Sequence, residues 1–160
     1  MSLSSLSSLS SLSSLSSLSS LLSYWAYKFE AGSNRRKRRK MPTIKRFEDV
    51  LAWQKARQVT KSVYDITKSG EFAKDFGLRD QIRRASVSIM ANIAEGFARR
   101  SDKDFAHFLN ISRSSAAEVQ SHLYVSLDQR YISQTDFEEI YRQLEETSKM
   151  IFALAKHLVL

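Results

Sequence analysis

The sequence has no cysteine, which excludes a disulfide scaffold, a thiolate zinc site and a cysteine nucleophile, and fits a reducing, cytoplasmic setting. One proline and four glycines leave few tight turns, so helices are predicted over a sheet. The histidines lack metal-site spacing. A di-metal bundle needs two Glu-x-x-His motifs with two further acids, whereas the nearest match is the single step from Asp104 to His107, and His122 and His157 stand alone. No metal and no cofactor are expected. There is no glycine-rich phosphate loop, and the many serines show no activating neighbours, so no catalytic residue is assigned. A Ser/His pair assembled only by folding is the one enzymatic reading left open. No apolar run approaches the roughly 20 residues needed to cross a bilayer, so no membrane partner is expected.

The formal charge is +8, and it is unevenly placed. Residues 1–40 hold seven Lys and Arg against one Glu, while residues 41–160 hold 18 against 16. The basicity therefore belongs to the first segment and says little about the folded part. In that segment a leucine recurs every third residue from Leu3 to Leu21 with serines between, a spacing that winds around a helix without making a lasting apolar face. It is read as low complexity. Tyr24, Trp25, Tyr27 and Phe29 form an aromatic patch that a membrane surface could contact. The run Arg35 to Lys40 has the composition of a nuclear-import or nucleic-acid arm, or of a solvated charge block. Because regular patterning begins just after Met41-Pro42, Met41 is expected to be the biological start. The division is a low-complexity, disordered extension over 1–40 and one domain over 41–160, a length typical of a single core.

Four amphipathic segments follow. Asp49 to Thr67 puts Ala52, Trp53, Ala56, Val59, Val63, Tyr64 and Ile66 on one side. Ser69-Gly70 ends it, and a loop runs to Gly77. A second helix, about Leu78 to Ala98, has the stripe Leu78, Ile82, Ala85, Ile89 and Ile93, but its second half also carries Val87, Met90, Ala91, Ala94 and Phe97. Such a spread is covered by neighbouring helices of the same subunit or by another subunit, and the second reading is preferred. Ser101 with Asp104 resembles a capping box that starts a third helix at Asp102, with a core face of Phe105, Phe108, Leu109, Ser112, Ala116, Val119, Leu123 and Leu127. Ile111 and Val125 project from its opposite side and extend the self-association argument. After a turn at Arg130-Tyr131, Ser133 or Thr135 caps the last helix, whose stripe is Phe137, Ile140, Tyr141, Leu144, Ile151, Phe152, Ala155 and Leu158. Glu138 with Arg142 and Glu145 with Lys149 have the favourable acid-first spacing of an exposed face. Four stripes joined by short links predict an all-α, antiparallel up-and-down four-helix bundle.

Two stretches, FEDVLAWQKA from Phe47 to Ala56 and QIRRASVSIMANIAEGFAR from Gln81 to Arg99, resemble the family of bacterial 23S rRNA-intervening sequence proteins. The motif falls on Gln81, Arg83, Arg84, Ser88, Asn92, Glu95 and Gly96. Met90 stands where the family often has a proline, which would kink the helix. The resemblance implies a homo-oligomer, typically a pentamer, without known catalysis and with an affinity for nucleic acid. Related bundles are accessory proteins of retroelements that bind RNA and a reverse transcriptase.

Arg79 and Arg83 lie one turn apart, Arg84 projects beside them, and Arg99, Arg100 and Lys103 surround the next loop. Repeated around a ring, these six could neutralise the phosphates of RNA or DNA. The competing reading pairs Arg83 and Arg84 with acids such as Glu95, Glu118 or Asp80, within or between subunits. Asn92 and Glu95 lie on an otherwise apolar half-helix and are expected to hydrogen-bond across the bundle or interface, and Gly96 to permit close packing or the following loop. The expected function is a non-enzymatic, self-associating, nucleic-acid-binding module, with a protein-interaction scaffold as the alternative.

Overall fold

The computed structural model describes residues 44–159. These form four helices and no strand: α1 Leu51–Ile66, α2 Phe76–Phe97, α3 Asp102–Asp128 and α4 Gln134–Leu158. The expectations for residues 1–40 and for Met41 lie outside the described residues.

Local chemistry sets the helix ends. Before α1, a single 3-10 turn over Phe47–Asp49 brings the Phe47 ring edge-on to Trp53 at 5.1 Å, and Gln54 donates to the Glu48 carbonyl at 2.9 Å. The Asp75 carboxylate accepts from the Leu78 N–H, so α2 begins at Phe76, two residues before the expected start. Ser101 caps α3 where the capping pattern placed it, accepting from the Asp104 N–H at 3.1 Å. Ser133 rather than Thr135 caps α4, in a reciprocal box with Asp136. The end of α3 closes through bonds from the Tyr131 N–H to the Ser126 carbonyl and from the Arg130 N–H to the Leu127 carbonyl. That geometry puts Arg130 at φ 57°, a left-handed conformation usually left to glycine. Met90 leaves α2 unbroken, as a helix without an internal proline should be.

Each helix packs on the next, and α4 closes back on α1. Side-chain contacts tie the first three pairs together. Thr60 meets Ser86 where Thr67 meets Arg83; Ile89 meets Ser112 where Gly96 meets Phe108; Arg113 meets Phe152 where Tyr124 meets Phe137. The core so enclosed contains Ala56, Val59, Val63, Ile82, Ile89, Ile93, Leu109, Val119, Leu123, Leu144 and Ile151.

Three features of the core differ from the sequence reading. Tyr64 and Phe152 lie on the surface, although both were assigned to apolar stripes. In their stead Thr67 and Thr147 are fully buried, each returning its hydroxyl to a carbonyl four residues earlier, Val63 at 2.8 Å and Gln143 at 2.7 Å. A hydroxyl satisfied within its own helix can be buried cheaply, so the stripe follows geometry rather than side-chain size. The loop after α1 is also not all solvent: Phe72 is buried and stacks on Tyr131 at 5.2 Å. Tyr131 in turn donates to Asp75 at 3.4 Å; burial first, and then the Asp75 charge, raise its phenol above the ordinary range. On the outer face of α4, Lys149 lies 3.8 Å from Glu145, but Glu138 takes Gln134 as its partner at 2.7 Å. No helix among the described residues is long and apolar enough to cross a membrane.

Candidate nucleic-acid and association interface

The six basic residues do not form one patch. Arg79 donates to the Ala73 carbonyl and Asp80, both at 2.9 Å, and lies over the Phe76 ring. Arg83 turns inward: its Nε donates to Thr67 Oγ1 at 2.7 Å and an Nη to the Thr67 carbonyl at 2.9 Å, while its guanidinium covers the Tyr64 ring at 4.8 Å. Arg99 pairs with Glu95 one turn back and covers Phe108. Arg84, Arg100 and Lys103 are exposed, and among the described residues none has a hydrogen-bonding or carboxylate partner. Arg84 to Phe97, the last residue of α2, is roughly 20 Å of helix at about 1.5 Å per residue. Arg84 is thus held well away from Arg100 and Lys103.

Of the carboxylates weighed as partners of Arg83 and Arg84, Asp80 pairs with Arg79 through Oδ1 and Glu95 pairs with Arg99, while Glu118 lies 3.6 Å from His122. Arg83 is satisfied instead by a threonine sixteen residues away, a partner that sequence spacing does not disclose. Thr67→Val removes its side-chain acceptor and strands Nε in a half-buried position. We expect about 1 to 2 kcal/mol of lost stability in urea unfolding at unchanged m-value, with Thr67→Ser close to wild type.

The residues proposed for self-association divide into two groups. Met90 and Phe97 pack against the core, Phe97 edge-on to Phe105 at 6.0 Å, so they are used within the subunit. Ala94 is half-buried. Val87, Ile111 and Val125 remain 41%, 37% and 42% exposed, and Ala91 is exposed between Val87 and Glu95 on one stripe of α2. Asn92 is half-buried and donates to the Ser88 carbonyl at 2.8 Å and hydroxyl at 3.0 Å. Glu95 is solvent-facing rather than buried.

Beneath that stripe α2 and α3 approach closely. Ser88 and Ser115 share a hydrogen bond of 2.9 Å, and Ser112 donates to the Ile89 carbonyl at 2.7 Å. At Gly96 a Cβ would fall 2.6 Å from Phe108 Cβ and 2.8 Å from Phe105 Cδ2, so this glycine serves close packing. Between α1 and α2 lies a shallow open groove lined by Tyr64, Asp80, Arg83, Arg84, Val87, Ser88 and Ala91. Tyr64 was missed as a surface residue because it sits one step from Val63 on the core stripe. No group of three or more metal-ligating side chains occurs among the described residues.

The arginine pair and the glycine-permitted helix contact belong to a stretch that other proteins share. The sequence profile of the 23S rRNA-intervening sequence protein family matches residues 48–153, from the turn before α1 into α4. The chain belongs to that family. A solved structure agrees: a protein of unknown function from the S23 ribosomal protein family of Bacteroides thetaiotaomicron VPI-5482 is 27% identical. It superposes with a TM-score of 0.61, covering 66% of this chain and 99% of that one. No curated protein matches. Within the 23S rRNA-intervening sequence protein family match, the Gln81–Arg99 motif maps onto α2 and the turn after it, the helix that carries both the groove and the exposed row.

Proposed function

We propose that this chain is a non-enzymatic, cytoplasmic homo-oligomer built on an antiparallel up-and-down four-helix bundle, and that the assembly binds RNA or DNA through backbone phosphates. What carries this reading is the surplus on α2 once the core has closed. Val87 and Ala91 are apolar and exposed, and Arg84, without a partner among the described residues, shares their stripe. Apolar rows of this kind on a closed domain mark partner surfaces. A head-to-tail contact that closes on itself makes a ring, which the family resemblance puts at five subunits. A ring multiplies one free arginine into several, which is how a domain carrying only 18 basic against 16 acidic residues could hold a polyanion.

A second reading, a protein-interaction scaffold or accessory subunit without nucleic-acid contact, is favoured by one observation: Arg79, Arg83 and Arg99 are already engaged inside the subunit. One experiment separates the two. The full chain is sized by chromatography with light scattering, and a labelled RNA and a labelled DNA are titrated at two salt concentrations. We expect a mass several times 18.4 kDa. Five phosphate contacts predict an affinity loss of about a hundredfold between about 50 and 200 mM salt. An oligomer that binds neither probe, or binds with no salt dependence, leaves the scaffold reading.

A further inference from the structure

We propose that the groove between α1 and α2 seats one unpaired base of a single-stranded nucleic acid, with Tyr64 and Arg83 as its stacking platform and Arg84 on the adjoining phosphate. This rests on the nucleic-acid reading above and specifies it, since phosphate contacts alone do not separate single strands from duplexes.

The platform is built before any ligand arrives. Arg83 is fixed at two points by Thr67, itself fully buried, so its guanidinium plane has one orientation. It covers part of the Tyr64 ring at 4.8 Å, inside the cation–π range of about 6 Å, and Tyr64 stays 44% exposed as a residue. A rigid aromatic-and-guanidinium surface loses little entropy when a base stacks on it. Duplexes keep their base faces stacked internally and cannot use it, whereas a single strand can.

The polar groups around the platform differ in sign, which orients the strand. Arg84, the next residue along α2, has no partner among the described residues and offers its guanidinium to a phosphate. Asp80 lies one turn before it; Arg79 binds only its Oδ1, so Oδ2 is left to accept from a base-edge N–H, and its charge repels a phosphate. The base is thereby drawn toward Asp80 and its phosphate toward Arg84. Val87 and Ala91 border this groove at their end of α2, while Tyr64 and Asp80 border it at the other.

The test uses the full chain at low salt with three labelled probes: a single-stranded RNA 12-mer, the same backbone with abasic sites, and a 12-base-pair duplex. Wild type is expected to bind the 12-mer about tenfold more tightly than the abasic strand. Tyr64→Ala should lower 12-mer affinity about tenfold while leaving abasic and duplex binding unchanged, and Tyr64→Trp should retain the wild-type preference. Circular dichroism confirms that the variants fold. Equal binding of the 12-mer and the abasic strand, or an equal loss on all three probes in Tyr64→Ala, overturns the stacking site while phosphate binding stands. No binding of any probe overturns both.

Discussion

Gly96→Ala is expected to lower the unfolding free energy by about 2 to 3 kcal/mol and the melting temperature by about 10 °C, as measured by thermal and urea denaturation. An added methyl inside a helix ordinarily stabilises it by about 1 kcal/mol relative to glycine, so the predicted sign is opposite to helix propensity. The reversal comes from what stands opposite. The nearest atom is Phe108 Cβ at 2.6 Å, and a Cβ cannot swing away by changing rotamer. Relief requires α2 and α3 to separate along a seam where Ser88, Ser112 and Ser115 also make short hydrogen bonds. Phe108→Ala removes the aromatic ring but not that Cβ, so it should rescue Gly96→Ala only partly. Full tolerance of alanine at this position would refute the close approach of the two helices.

Ala91→Glu is expected to reduce the assembly to single chains, read as a fall of the light-scattering mass to 18.4 kDa. Ala91 is exposed and its side chain makes no polar contact, so the substitution leaves the subunit core intact and the helical dichroism unchanged. In the proposed assembly the same position, one turn from the exposed Val87 on α2, lies in the contact between subunits. There a carboxylate loses water beside the apolar Val87, at a cost of several kcal/mol per contact. Its repulsion from Glu95, one turn on, adds only about 0.2 to 0.5 kcal/mol and does not decide the outcome. Because every contact of a ring carries the change, the effect is repeated around it. A mass that stays at the wild-type multiple would place the association surface elsewhere.

The helix count and the starts of α3 and α4 were readable from the residues because caps are local. Ser101 with Asp104 and Ser133 with Asp136 satisfy orphan N–H groups within a single turn, and the bonds form as the spacing requires. The stripes of α1 and α4 were read correctly at Ala56, Val59, Val63, Leu144 and Ile151, where period and hydrophobicity agree. Errors arose where the two conflict. Thr67 and Thr147 have the right period but polar side chains, while Tyr64 and Phe152 are apolar but one step off the stripe. The basic residues were the least legible. Whether an arginine is free depends on acceptors that folding brings near, and for Arg83 these are a threonine hydroxyl and a carbonyl on another helix. Phe72 was hidden for a similar reason, since its partner Tyr131 belongs to the turn between α3 and α4.

That contact between Phe72 and Tyr131, with the bond from Tyr131 to Asp75 across 56 residues, joins the connection between α1 and α2 to the connection between α3 and α4. The two connections belong to different halves of the chain, so this knot can be tied only after the halves have docked. It therefore rewards the completed domain and neither half alone, and so adds to the cooperativity of unfolding.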